Sequence, residues 1–293
     1  MARQPNLLEA VQSRVLVCEG AMGSMLSAQG IKFANTGEVN LRHPEAVANV
    51  HRAYKEAGAE VFQANTFAAN THMLERAGLG AQAAEIQTAA VRIVREVVGD
   101  DGYIGADIGP TGGMIAPYGD LEPAAATAIF RQQLEVMLAA GVDFVLFETF
   151  EVVDELQAGI AACREIGVEL PIIASVSFSS ANGRTMMGTD GAAAARKLDE
   201  LGVDIIGANC GDPEGLRIAI QAMGTVTQRP LMAQANAGVP HLIEGETVFD
   251  GKPVESGQLA ADLVREGVRI IGGCCGTTPE HIRQIARAAE AAA

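Results

Sequence analysis

One pattern constrains this chain more than any other. A short apolar or β-branched run, closed by glycine or polar residues and followed by a helical stretch, recurs eight times. The strand candidates are Val15–Glu19, Glu60–Thr66, Tyr103–Ile108, Phe144–Thr149, Ile172–Phe178, Asp204–Asn209, Leu231–Asn236 and Arg269–Gly273. Near-continuous Val, Ile, Leu and Phe at this length is what strands buried on both faces require. The apolar spacing turns helical over Pro44–Ala57, Ala81–Val98, Pro123–Ala140, Val153–Ile166, Ala192–Leu201, Glu214–Met223, Ser256–Glu266 and Pro279–Ala292. Gly58, Gly167, Gly202 and Gly267 each stand just past a helix, where a left-handed cap is needed. Thr278 offers a capping hydroxyl before Pro279 at the first helical position. Strands alternating with helices imply a parallel sheet with right-handed crossovers. Eight such units within 293 residues, with no linker or low-complexity segment, predict one α/β domain over residues 1–293. Its expected form is a closed (β/α)8 TIM barrel with its site at the C-terminal face. A doubly wound open sheet competes, differing in strand order.

Composition narrows the class of partner. With 36 acidic against 21 basic residues the formal charge is −15, which argues against nucleic acid or an anionic membrane surface as the main partner. Aromatic residues make up 4% and Trp is absent, so stacking platforms for single strands are scarce. No run approaches the ~18 apolar residues of a membrane span. The opening Met1-Ala2-Arg3-Gln4-Pro5-Asn6 does not read as a signal peptide. Five cysteines, two of them adjacent, do not form a disulfide framework, and a reducing cytoplasm is the expected setting.

In a barrel of this kind, chemistry belongs where strands end. Those ends read Glu19-Gly20-Ala21-Met22-Gly23 after the first strand, Asn65-Thr66 after the second and Glu148-Thr149 after the fourth. The sixth ends in Asn209-Cys210, the seventh in Asn236-Ala237-Gly238 and the eighth in Gly273-Cys274-Cys275-Gly276. Cys210, Cys274 and Cys275 therefore fall on one rim. Three soft thiolates suit Zn2+ rather than Mg2+ or Ca2+, and three protein ligands leave the fourth position open, as catalytic zinc sites do. Neighbouring strand residues point to opposite faces, so Cys274 and Cys275 need the backbone break that Gly272, Gly273 and Gly276 permit. Cys18 and Cys163 read as buried packing residues. Zinc with three thiolates carries a net negative charge and is a poor activator of water. It suits a substrate thiol, whose pKa it lowers, and the chemistry expected is transfer of a small electrophilic carbon to sulfur.

These motifs, with Asn65-Thr66-Phe67, Glu148-Thr149-Phe150, Ser175-Val176-Ser177-Phe178 and Gly272-Gly273-Cys274-Cys275-Gly276-Thr277-Thr278-Pro279, resemble the homocysteine S-methyltransferase family over nearly the whole chain. The run ending Thr278-Pro279-Glu280-His281 is most similar to the homocysteine-binding domain of cobalamin-dependent methionine synthases. The resemblance implies a methyltransferase of the methionine-forming type. Cys210, Cys274 and Cys275 would bind one zinc, and the homocysteine sulfur would complete its tetrahedron. Backbone amides around Gly20, Ala21, Met22 and Gly23 would take the amino acid carboxylate, and Glu148 its ammonium group. Asn236 would approach the metal when substrate is absent, while Asn65, Thr66 and Ser177 would line the pocket. Glu19 departs from the Asp many members carry before the glycine turn, extending that carboxylate by one methylene into the pocket. The donor stays open among methylcobalamin, a methylfolate, betaine and sulfonium compounds. No corrinoid or folate module fits beside the barrel, so a separate partner protein would carry one. Alternatives are a methyltransferase for a corrinoid protein or another small thiol, and a non-catalytic zinc-barrel binding subunit.

Overall fold

The computed structural model describes residues 5–243 and 246–292, so the reading of residues 1–4 lies outside the described residues. The eight barrel strands are β1 (Leu16–Val17), β2 (Val61–Gln63), β3 (Tyr103–Ile108), β4 (Phe144–Phe150), β5 (Ile172–Val176), β6 (Ile205–Asn209), β7 (Leu231–Ala235) and β10 (Val268–Gly273). A small antiparallel hairpin, β8 (His241–Ile243) and β9 (Glu246–Val248), stands between β7 and β10. Each of the eight strand candidates thus has its counterpart, trimmed or extended at the ends by a few residues.

Strand order settles the competition between the two architectures. Each of β2 through β6 lies parallel to the next, and β10 lies between β7 and β1. Between β1 and β2 the ladder thins to a bridge, Cys18 opposite Val61. There Glu60 N–H donates to Val17 O at 2.8 Å and Glu19 N–H to Val61 O at 3.0 Å. The sheet is a nearly closed barrel. The glycines expected as helix caps all take positive φ, from 67° at Gly167 to 105° at Gly58.

Period-two alternation divides the core in two. Outward residues such as Phe62, Ile104, Val145, Phe147, Ile206 and Ile271 pack against the helices. Inward residues Leu16, Val61, Tyr103, Phe144, Leu146, Ile173, Ile205, Met232 and Ile270 fill the lower barrel. A helix that the strand–helix rhythm did not reveal, Leu7–Ser13, packs Leu7, Ala10 and Val11 into this inner cluster. It is tied there by Tyr103 Oη to Pro5 O and Arg269 Nε to Val11 O. Nearer the mouth the inward positions turn polar, with Gln63, Asp107, Glu148, Ser175, Asn209 and Gln234 all buried. The apolar floor therefore carries a polar upper layer.

His281, in the first turn of the last helix, is buried. Its Nδ1 accepts the Thr278 N–H, and its Nε2 faces Gly251 O at 2.9 Å. The imidazole thus closes the first turn of the last helix onto Thr278, whose Oγ1 also lies 2.9 Å from its Nδ1. If the N-terminal helix is a floor and not an appendage, Leu7→Ala should cost about 2–5 kcal/mol. Chemical denaturation would show that loss, with metal binding at the mouth unchanged.

Candidate functional site

The three rim cysteines meet. Cys210 follows β6 and Cys274–Cys275 follow β10, and their sulfurs lie within 4.8 Å of one another, partly open to solvent. Because β10 ends at Gly273, neither Cys274 nor Cys275 is held to strand alternation. Cys274 N–H donates to Ala235 O and Ala237 N–H to Cys275 O, which lashes the turn to the end of β7. Cys210 has φ of 60°, a left-handed conformation uncommon for a residue with a side chain. That backbone turn costs on the order of 1–3 kcal/mol and accompanies the convergence of its sulfur on the other two.

Thr149, at the end of β4, is the other non-glycine residue with positive φ among the described residues, at 64°. Asn209 accounts for it. Its Oδ1 accepts Thr149 N–H at 2.9 Å and Ser175 Oγ–H at 2.7 Å. Its Nδ2 reaches Thr149 Oγ1 at 2.7 Å, Glu148 Oε2 at 3.2 Å and Cys274 Sγ at 3.9 Å. One buried amide thus spans β4, β5 and the cysteine turn. A second chain of amides approaches Glu148 from the other side: Gln234 Nε2 donates to Gln63 Oε1 at 2.9 Å, and Gln63 Nε2 to Glu148 Oε2 at 2.8 Å. Burial pushes the Glu148 carboxyl up to about 7, although the Gln63 donor pulls the other way.

The thiols are strongly inequivalent. Hydrogen bonds from Cys274 and Cys275 hold Cys210 down to about 3, while Cys275 is pushed up to about 12 and Cys274 well above the ordinary thiol range, first by sharing with Cys210. Asn236 donates Nδ2–H to Gly211 O at 2.8 Å and also stabilises the Cys210 thiolate. Its Oδ1 is shut away from water without a partner. A soft donor set of three sulfurs with an orphaned amide oxygen beside it fits a tetrahedral thiophilic metal.

The remaining rim residues divide. Gly20 is a point of close approach, where a Cβ would come within 2.4 Å of Thr277 Oγ1. Ala21 N–H donates to that hydroxyl, and Tyr54 Oη–H donates to Ala21 O. Met22 and Gly23 open the short helix Met22–Ala28, with no side-chain cap from Ala21. Glu19 is nearly fully buried. Its Oε1 accepts Gln63 N–H at 2.7 Å and its Oε2 lies 2.8 Å from His51 Nδ1, so the longer side chain reaches across the barrel seam. Asn65 Nδ2 donates to Thr36 O and Asn40 Oδ1, and Thr66 Oγ1 to Asp107 O, which makes both part of the wall. Ser177 is buried after β5, with its N–H on Phe150 O. Gln63, Asp107, Asn209 and Gln234 carry much of the polar layer; of these only Asn209 stood in a motif, and there without a role of its own. Their signal was parity: Gln63 and Gln234 stand two positions, and Asp107 and Asn209 four positions, beyond the inward residues Val61, Met232, Tyr103 and Ile205 on the same strands.

The profile of the family described as homocysteine S-methyltransferase matches residues 16–289. The chain belongs to the homocysteine S-methyltransferase family. It is 29% identical over 303 aligned residues to the methionine synthase of Mycobacterium tuberculosis (strain ATCC 25618 / H37Rv), an alignment covering 97% of this chain and 25% of that protein. The Mycobacterium leprae (strain TN) methionine synthase gives the same identity and coverage. The chain thus spans about a quarter of the length of these relatives. Among solved structures, the metallated form of the homocysteine methyltransferase MmuM from Escherichia coli superposes with a TM-score of 0.79 at 23% identity, covering 94% of this chain and 96% of that one. The oxidized form of the same enzyme gives 0.80 at 24%, covering 96% and 99%. These likenesses confirm the barrel. No helix among the described residues is long and apolar enough to cross a membrane.

Metal uptake should follow the thiol inequivalence. A thiol must lose its proton to bind a metal, and Cys274 and Cys275 are both held above the ordinary thiol range, so uptake through all three sulfurs should expel about two protons per metal ion. Raising the pH therefore tightens binding, by up to about a hundredfold per unit below the thiol range. Zinc titration calorimetry in buffers of different ionisation enthalpy measures the proton count directly.

Proposed function

We propose that this chain holds one zinc ion on Cys210, Cys274 and Cys275 and methylates a small thiol, L-homocysteine, to give methionine. The observation that carries this reading is the convergence of three sulfurs beside a buried carboxylate at the barrel mouth. Zinc, when bound, supplies the positive charge that keeps an acceptor sulfur deprotonated at neutral pH. Three thiolates around a divalent cation leave a net charge of about −1, which favours activating a thiol over activating water.

The chain's own residues then bind and orient. Glu148 takes the acceptor's ammonium group, held in place by the donors from Gln63 and Asn209. The N–H groups of Gly20, Met22 and Gly23 meet its carboxylate, Ala21 having given its own to Thr277. Asn236, whose buried oxygen has no partner, would be the residue to complete the metal's coordination when no acceptor is present. Glu19, Asn65, Thr66 and Ser177 form the pocket wall. In the transfer a sulfur–carbon bond forms as the donor–methyl bond breaks, and the acceptor's thiol proton leaves to solvent. In-line alignment of sulfur, methyl carbon and leaving group is the main task, and fixed geometry of this kind is worth several kcal/mol of barrel-mouth preorganisation.

A corrinoid or methylfolate on a separate module is the donor we favour. The support is that three quarters of each methionine synthase relative lies beyond the matched region.

The test is zinc content together with proton release on adding L-homocysteine, in wild type and Cys274→Ala. One zinc per chain, with a homocysteine-driven proton lost in the variant, is the expected result. Zinc present with no thiol response would overturn the acceptor and leave a binding-subunit role. In the same assay Glu148→Gln should weaken homocysteine binding by about tenfold or more, because a charged hydrogen bond becomes a neutral one.

A further inference from the structure

Asp107 lies on β3 opposite Leu146 of β4, and Glu148 is two residues further along β4 on the same inward face. Only 6% of Asp107 and 8% of Glu148 is exposed. The two carboxyl groups stand on neighbouring strands of the same inner wall and act on one another electrostatically. Glu148 Oε2 is satisfied by two amide donors, from Gln63 and Asn209. Asp107 has no such support: its Oδ1 is sealed from water and receives no N–H or hydroxyl from the protein. The backbone is fixed all the same, since Asp107 O accepts Thr66 Oγ1–H at 2.7 Å.

A buried carboxylate oxygen with neither donor nor cation is costly, and Asp107 Oδ1 is one, beside a second buried carboxyl that has amide donors but no cation. The charged groups that act on the pair are acids: Glu19 on both, and Cys210 on Glu148. Burial drives both carboxyls upward, as expected where like charges crowd a water-poor space. What the arrangement lacks is a cation with several hydrogens. Among the described residues, the group gathered closely enough to hold a metal is the three sulfurs, and it includes neither carboxylate. A primary ammonium, with three N–H donors and one charge, matches two carboxylates and an orphaned oxygen.

We propose that Asp107 is the second carboxylate of the amino-group subsite, taking the acceptor's α-ammonium together with Glu148 and making the enzyme selective for amino-bearing thiols. The inference rests on the reading of this barrel as a thiol methyltransferase. It assigns a discriminating role to a residue that no motif marked, and it makes β3 contribute to specificity as well as to the wall. Thiols of the same length without an amino group gain nothing from Asp107 and leave its orphaned oxygen unpaired, which is why the site discriminates.

Two acceptors separate the possibilities: L-homocysteine and its deamino counterpart, 4-mercaptobutanoate. Binding of each to the zinc-loaded full chain is measured by calorimetry, in wild type, Asp107→Asn and Asp107→Ser. The expected result is a wild-type preference for homocysteine that falls by about tenfold or more in both variants, with 4-mercaptobutanoate affinity unchanged. Equal weakening of the two thiols, or an intact preference, overturns the proposal. Wild type that binds 4-mercaptobutanoate as tightly as homocysteine overturns it while leaving the thiol reading standing. Wild type that binds neither overturns the thiol reading and this one with it. Should both variants unfold, a crystal structure of the wild-type homocysteine complex decides. A substrate nitrogen within about 3.2 Å of either Asp107 carboxylate oxygen supports the assignment, and one beyond hydrogen-bond reach of both overturns it.

Discussion

A nearly closed barrel leaves its inward side chains no exit, and the site depends on that constraint. Below the mouth the inner face is filled by Leu16, Val61, Phe144, Ile173, Ile205 and Met232, so the polar residues above them stand on a dry floor. Polar atoms there must satisfy one another, because water is not available to do so. Asn209 and the Gln234–Gln63 pair are the result: side-chain amides that donate and accept across neighbouring strands and converge on one oxygen of Glu148. The same confinement raises the Glu148 carboxyl into the neutral range and leaves Asp107 Oδ1 without a donor. The acidic character of the mouth and its fixed geometry thus have a common origin.

The cysteine set depends on this layer but obeys a different logic. Its sulfurs converge because the chain leaves regular strand geometry at the right places: at Cys210 through a left-handed residue, and at Cys274–Cys275 through a turn after β10. Asn209 touches Thr149, Glu148 and Cys274 together, so the carboxylate layer and the thiol set are not independent. Glu19 contributes at the weakest point of the barrel. Where β1 and β2 pair through little more than a bridge, its carboxylate accepts Gln63 N–H and faces His51, extending the seam by side chain where backbone pairing stops. A shorter Asp at that position would reach less far. The departure from the commoner residue is therefore legible as a structural demand of this seam.

Much of the fold could be read from local pattern. Tyr103–Ile108, Pro123–Ala140 and Pro279–Ala292 fall where apolar spacing and glycine or proline punctuation put them. The Leu7–Ser13 helix escaped because it interrupts the strand–helix rhythm, and the β8–β9 hairpin because its three-residue strands carry no run long enough to register. The burial of His281 is not legible locally, because a polar residue in a first helical turn reads as surface unless its partner, here Gly251 from a distant loop, is known.

The sequence by itself determined the eight-unit rhythm, and it determined that three cysteines stand at strand ends among glycines. Both are local properties of spacing and residue type, and both survive without knowledge of register. Tertiary structure alone decided which polar side chains share the interior. Asp107 and Glu148 are 41 positions apart, and Gln63 and Gln234 are 171 apart. That they meet follows from strand order and inter-strand register, which the chain fixes only when the sheet closes on itself. Closure also removes the water that would otherwise satisfy each group alone, and so turns scattered polar residues into one interacting site.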